Sequence, residues 1–169
     1  MTMEELEEHI PELNMGAKYT HQILIHRIST QLSIQLNPLG CEVVGGTYLF
    51  LEISPEEYLE NPVKILNTKD NYEEPDLMVL CESSNIQILE DRVFGVPRFI
   101  IEVLSVSTST EDTLYKRHRY QRCGVEEYWI IDPKRKEVFK FLLSENYKGI
   151  LYRENPAEIP LSIFNANQW

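Results

Sequence analysis

Two apolar runs, residues 98–106 and 127–132, constrain the fold more than any other part of this sequence. A more polar stretch at about residues 111–122 lies between them and has the pattern of a helix. Short apolar runs of this kind are typical of strands in the centre of a sheet. The pattern therefore predicts a strand, a helix and a second strand in that order.

Other patterns predict the rest of the sheet and a long helix. Apolar residues recur at helical period over residues 20–36, which predicts an amphipathic helix with Thr20 as a candidate N-cap. Further runs predict strands at residues 42–53 and 76–81, a short helical turn at 56–59, and a hairpin over 138–143 and 149–153. We therefore predict an α/β fold, with a central mixed sheet flanked by helices.

Composition limits the class of protein. At 169 residues and 43% hydrophobic side chains, the chain suits one globular domain, residues 1–169, with an N-terminal extension at 1–19 and a core at about 20–153. It has no run near the roughly 18 apolar residues of a membrane span, and its acidic start does not resemble a signal peptide, so we expect a cytoplasmic protein without membrane contact. The net charge of −11 argues against a nonspecific nucleic-acid coat protein but does not exclude a nuclease.

The cysteine and histidine residues do not have the spacing that is typical of a metal site. Cys41, Cys81 and Cys123 are odd in number and about 40 residues apart, so we interpret them as reduced thiols rather than zinc ligands. His21 and His26 flank the apolar stripe of the first helix. For both we favour a helix-surface or capping role over metal ligation.

Two carboxylates on predicted strands stand out. Glu102 interrupts the apolar run at 98–106, and strand alternation puts it on one face with Ile100 and Leu104. A buried carboxylate without a partner costs several kcal/mol, so Glu102 needs a cation, hydrogen-bond donors or a proton. Asp76 follows Pro75 at the start of another strand. Two strand-borne carboxylates suggest Mg²⁺, which prefers oxygen ligands and can activate water for phosphodiester hydrolysis.

The predicted helix between the two apolar runs adds a cation. Asp112 and Lys116 are four residues apart and lie on one helix face, with Tyr120 on or next to it. Lys116 could orient the attacking water or neutralise charge on the scissile phosphate. An ordinary exposed Asp112–Lys116 pair is the alternative. For Asp112 we favour pairing over a direct role, and for Tyr120 we favour packing, with its hydroxyl near the site, over catalysis. Nearby basic residues form either a solvated face or a phosphate-binding surface: Arg117, Arg119 and Arg122.

These segments together carry a family resemblance. The relevant segments are EPDL at residues 74–77, FIIEVLS at 99–105, the helix residues Asp112, Lys116 and Tyr120, and GVEEYWIIDP at 124–133. In order and spacing they resemble the Uma-type restriction endonuclease family of the PD-(D/E)XK nuclease superfamily. The resemblance covers about residues 74–132 and, more loosely, 20–36.

The resemblance implies a fold, a metal site and a substrate. It implies a restriction-endonuclease-like fold, DNA as the substrate, and Mg²⁺, or alternatively Mn²⁺, held by Asp76, Glu102 and the main-chain carbonyl of Val103. The lysine that the superfamily usually carries two residues after the glutamate is Leu104 here, and the resemblance moves its function to Lys116. By analogy we also expect a homodimer.

Two classes of function fit this sequence best. The first is a metal-dependent endonuclease that hydrolyses DNA by attack of water, using Asp76, Glu102 and Lys116. The second is a weak or inactive relative that keeps the fold and serves as a nucleic-acid or protein binding module. Hydrolysis of another phosphate ester is a third option.

Overall fold

The protein is a mixed sheet with helices on both faces. In a computed structural model, the described residues are 15–105, 108 and 110–162. The main helices are α1 (Met15–Leu36), α2 (Pro55–Glu60), α3 (Pro62–Leu66) and α4 (Thr110–Cys123). The strands are β1 (Cys41–Val44), β2 (Leu49–Phe50), β3 (Leu77–Cys81), β4 (Gln87–Leu89), β5 (Arg92–Phe94), β6 (Phe99–Val103), β7 (Glu127–Asp132), β8 (Glu137–Leu142) and β9 (Ile150–Tyr152).

The larger sheet has the strand order β1-β3-β6-β7-β8-β9. Its central pair, β6 and β7, is parallel and is connected through α4, whereas the other neighbours are antiparallel. Parallel strands need a crossover, and the polar α4 stretch supplies it. The predicted α/β fold and the strand-helix-strand unit are confirmed. A smaller sheet has the order β2-β5-β4.

Alternation along the central strands gives each face its own core. On one face, α1 residues such as Leu32 and Leu36 pack with Ile101 and Trp129. On the other face, Tyr120 of α4 packs with strand residues including Ile100 and Tyr128. The end of β6 therefore lies between α1 and α4. No helix among the described residues is long and apolar enough to cross a membrane.

Several local predictions were incomplete. Helix α1 begins by Met15, so Thr20 lies inside it and the N-cap interpretation is wrong. Helix α3 lies in a segment for which no helix was predicted. The β4–β5 hairpin was not predicted; its turn places Glu90 and Asp91 at positive φ, without the glycine that usually marks such turns. Buried residues also continue beyond residue 153, the predicted end of the core, at Ile159 and Leu161.

Cys41 and Cys81 form a disulfide across the antiparallel β1–β3 pair, with their Cα atoms 4.0 Å apart. The interpretation of both as reduced thiols is therefore wrong, whereas Cys123 is a free thiol. Their separation of 40 residues along the chain does not indicate the bond, because strand register brings them together.

Reducing this disulfide is expected to lower the free energy of unfolding by about 2–4 kcal/mol, because the unfolded chain then regains the freedom of the 40-residue loop. Urea unfolding with and without reductant measures the difference. A variant carrying Cys41→Ser and Cys81→Ser should be insensitive to reductant. Equal stability of the wild type in both conditions would contradict the prediction. Disulfides are rare in the cytosol, so the cytoplasmic location stays a prediction.

Candidate metal and phosphate site

Strand register places Asp76 and Glu102 side by side. Leu77 of β3 pairs with Ile101 of β6 in an antiparallel register, so the next pair outward is Asp76 and Glu102. Directly opposed residues of antiparallel strands point to the same face, with Cβ atoms about 5 Å apart. The two carboxylates that the sequence singled out are thus brought to one end of the sheet.

Asp76 is fixed by the backbone of the neighbouring strand. The main-chain N–H of Val103 donates a hydrogen bond to Asp76 Oδ2 over 2.7 Å. Pro75 precedes this residue and favours an extended chain at that point. The Asp76 side chain is about one-fifth exposed, so it can still face a ligand in the cleft.

Glu102 is buried, and two residues of α4 bind it. Lys116 Nζ and the Tyr120 hydroxyl both donate to Glu102 Oε1, each over 3.0 Å. Burial raises the pKa of Glu102 to about 7; Lys116 opposes this rise and the Asp76 carboxylate adds to it. The buried carboxylate therefore has the cation and donors that its position requires.

Helix α4 supplies Lys116 in the predicted orientation. Residues four apart share a helix face, and Asp112 Oδ2 lies 3.9 Å from Lys116 Nζ. Burial lowers the pKa of Lys116, but Glu102 and the other nearby carboxylates outweigh it, so the pKa is raised above its ordinary value. Lys116 is therefore an ammonium that faces Glu102.

His21 occupies a position that its sequence context did not indicate. Its Nε2 lies 2.8 Å from the carbonyl oxygen of Val103 and 3.4 Å from Asp76 Oδ2. The side chain is only 16% exposed. The helix-surface interpretation is wrong for His21, whereas His26 is exposed. Only the fold could reveal the contact with Val103, since 82 residues separate the partners.

These groups line a cleft of about 180 Å³, which corresponds to about six water volumes. The carboxyl groups that line it are Glu74, Asp76, Glu102 and Asp112, and Lys116 is its ammonium group. Leu104 also lines it, at the position where the superfamily usually has lysine. A larger groove of about 650 Å³ lies between α1 and the C-terminal segment, but its lining contains no carboxylate.

The donor set of the cleft fits a divalent cation. Its carboxylates and the Val103 carbonyl are the hard oxygen ligands that Mg²⁺ and Mn²⁺ prefer. Tyr128 also lines the cleft, and its buried hydroxyl has no hydrogen-bond partner among the described residues. This hydroxyl can therefore form a hydrogen bond with a water molecule or a ligand in the cleft. Within residues 15–105, 108 and 110–162, no three His, Cys, Asp or Glu side chains already stand as a metal cluster.

The arginines of the basic run next to the site contact groups of the protein itself. Arg119 is buried and donates to Glu73 Oε1 over 2.8 Å, and Arg122 pairs with Glu52. Arg117 donates to the carbonyl of Tyr147 and stacks on an aromatic ring. Arg119 is therefore not part of a solvated face, whereas the Arg122 side chain is 66% exposed. A role of Arg122 in phosphate binding stays a prediction. No pattern along the chain indicates that Glu73, which precedes the EPDL segment, is the partner of Arg119.

The raised pKa of Glu102 predicts a pH dependence of stability in EDTA. Because its folded pKa of about 7 exceeds the ordinary value of 4.5, the native state holds this proton more tightly than the unfolded chain. The free energy of unfolding should therefore fall, by up to about 3 kcal/mol from this group, as pH rises between those values. Urea unfolding should show this fall in the wild type and a smaller one in Glu102→Gln. Equal pH slopes in the two proteins would contradict it.

Comparison with known proteins gives a family and a fold. Residues 19–169 match the model of a family described as "Uma2: Putative restriction endonuclease". The chain is similar to a solved structure described as a "putative nuclease belonging to DUF820" from Anabaena variabilis, with a TM-score of 0.63 and 17% identity. The alignment covers 85% of this chain and 73% of that chain, and at this identity it shows the fold alone. No curated protein matches the chain.

Proposed function

This chain belongs to the Uma2 family of restriction-endonuclease-like proteins, and we propose that it is a metal-dependent endonuclease that hydrolyses DNA by attack of water. Family membership supports a nuclease. The observation that carries the finer proposal is the meeting of Asp76, Glu102 and Lys116 in one small cleft. At this end of the sheet, the two carboxylates can bind a divalent cation. The ammonium group beside them can stabilise the charge of a phosphate.

The proposed ligands are Asp76, Glu102 and the main-chain carbonyl of Val103. Asp76 is held in place by the Val103 N–H, and Tyr120 holds Glu102 through its Oε1. These contacts orient the carboxylates before a cation arrives, which reduces the reorganisation that binding requires. The chemistry that Mg²⁺ or Mn²⁺ supplies there is a lower pKa for bound water and neutralisation of charge on the phosphate.

Lys116 is the proposed electrostatic partner of the reaction. Its ammonium pairs with Glu102 at 3.0 Å. If Glu102 held a divalent cation, part of that neutralisation would come from the cation, and Lys116 would be able to turn toward the attacking water or the scissile phosphate. Asp112, which lies 3.9 Å from the ammonium, keeps Lys116 at the mouth of the cleft. In this way α4 replaces the lysine that the superfamily usually carries where Leu104 stands.

The binding-module alternative has specific support. Leu104 lines the cleft at the usual lysine position. Arg119 of α4 is buried against Glu73, and Arg117 donates to the Tyr147 carbonyl, so neither is free for phosphate contacts. A module of this kind would bind a nucleic acid or a protein without cleaving DNA. Metal affinity separates the two functions, because only the nuclease requires a cation held by both carboxylates.

The test is incubation of the purified full chain with supercoiled plasmid, linear duplex and single-stranded DNA in Mg²⁺, Mn²⁺ or EDTA. The proposal expects cleavage of at least one DNA form in Mg²⁺ or Mn²⁺ and none in EDTA. Intact DNA under every condition would contradict it, and a mobility shift without cleavage would then favour the binding module.

Light scattering of the same protein tests the expected homodimer, which would bring two sites to two strands.

A further inference from the structure

His21 approaches the same oxygens to which the proposed function assigns a cation. Its Nε2 is 2.8 Å from the Val103 carbonyl oxygen and 3.4 Å from Asp76 Oδ2. The ring comes from α1, on the face of the sheet opposite α4. It therefore closes the side of the cleft that Lys116 and Tyr120 leave uncovered.

We propose that His21 is a further metal ligand, which would complete a mixed nitrogen and oxygen site with Asp76 and the Val103 carbonyl. This inference rests on the proposed function and adds a residue to its metal site. Neighbouring ligands in an octahedral site with bonds of about 2.1 Å are about 3.0 Å apart. The two measured Nε2 separations, 2.8 and 3.4 Å, lie on either side of that value.

The contact between His21 and Val103 is compatible with this role. In the structure, the Nε2–H group of His21 donates to the Val103 carbonyl. When a cation binds that carbonyl, the neutral ring places its proton on Nδ1 and presents the Nε2 lone pair, so the net charge of the ring stays the same. Only 16% of the His21 side chain is exposed, so the ring has few other orientations available to it.

A histidine ligand has a consequence for metal preference. Imidazole favours transition metals over Mg²⁺, whereas carboxylates and carbonyls suit Mg²⁺ and Mn²⁺ alike. His21 should therefore bias the site toward Mn²⁺. Loss of an outer-sphere partner already weakens metal binding by about tenfold or more, and loss of a direct ligand should weaken it at least as much.

The experiment is pulsed electron paramagnetic resonance of the full chain with Mn²⁺ alone, together with calorimetric titration of Mn²⁺ and Mg²⁺. We expect a histidine-nitrogen coupling in the wild type that is lost in His21→Gln and kept in His26→Gln, a matched control on the same helix. We also expect His21→Gln to weaken Mn²⁺ binding by about tenfold or more, and Mg²⁺ binding by less.

The contrary outcomes are distinct. Bound Mn²⁺ without a histidine coupling in the wild type, or a coupling that persists in His21→Gln, would overturn this inference and leave the proposed function standing. Failure of the wild type to bind Mn²⁺ or Mg²⁺ would overturn both. If His21→Gln does not fold, isotope labelling of histidine in a variant with His9, His26 and His118 replaced by glutamine decides the question, because His21 is then the one histidine of the chain. A coupling that changes with the isotope supports the inference, and its absence overturns it.

Discussion

Replacing Asp76 by asparagine is expected to reduce DNA cleavage at least about 1,000-fold, equivalent to about 4 kcal/mol of transition-state stabilisation. The substitution removes a charged ligand from the proposed metal site. Asparagine still offers an oxygen that can accept the hydrogen bond from the Val103 N–H, which is 2.7 Å from Asp76 Oδ2 in the wild type. We therefore expect a folded protein that binds Mn²⁺ weakly.

The measurement is the initial rate of plasmid cleavage at several Mn²⁺ concentrations. Asp70→Asn is the matched control, since Asp70 is exposed in the short 3₁₀ helix Lys69–Asn71 between α3 and β3, and its rate should equal that of the wild type. Circular dichroism and a urea titration establish that Asp76→Asn is folded. If a folded Asp76→Asn protein cleaved DNA within about threefold of the wild-type rate, Asp76 would not be a metal ligand that cleavage requires.

Replacing Lys116 by methionine is expected to reduce the cleavage rate by about 100- to 1,000-fold, the usual effect of removing one preorganised electrostatic donor. Methionine keeps much of the length of the side chain but loses the ammonium, which is 3.0 Å from Glu102 Oε1. Lys116 lowers the pKa of Glu102, so its loss should raise that pKa further. The rates should therefore be compared at about pH 8 or above and at saturating Mn²⁺.

Two further variants of Lys116 and its surroundings sharpen this test. Lys116→Arg keeps the charge and should recover part of the rate, and exposed Lys148→Met should leave it unchanged. Mn²⁺ affinity at high pH should change little in Lys116→Met, because the residue is not a proposed ligand. A loss of affinity as large as the loss of rate would instead assign Lys116 a role in preparing the metal site.

The β6–α4–β7 unit was predictable because the sequence patterns that specify it are local. The apolar runs around α4 specify β6 and β7, and the single carboxylate in the first run draws attention to Glu102. Helical spacing alone places Lys116 and Tyr120 on one face, and both reach the same oxygen of Glu102. The predicted family and fold are confirmed, whereas the roles assigned to these residues stay predictions.

The parts that were missed depend on contacts between distant segments. His21 meets Val103 only because α1 packs across the end of β6. The register of β1 and β3 determines the Cys41–Cys81 disulfide. Arg119 looks like a surface residue within its basic run, but it is buried against Glu73, which lies 46 residues away. Neither periodicity nor spacing along the chain encodes such pairings.

The most direct test of the metal-dependent nuclease compares plasmid cleavage by the wild type with cleavage by Glu102→Gln, in Mn²⁺ and at matched protein concentrations. Glu42→Gln is the control, because Glu42 is an exposed glutamate on edge strand β1. The account predicts cleavage by the wild type and by Glu42→Gln, and its loss in Glu102→Gln. Equal cleavage by all three proteins would show that the activity does not use this site and would contradict the account.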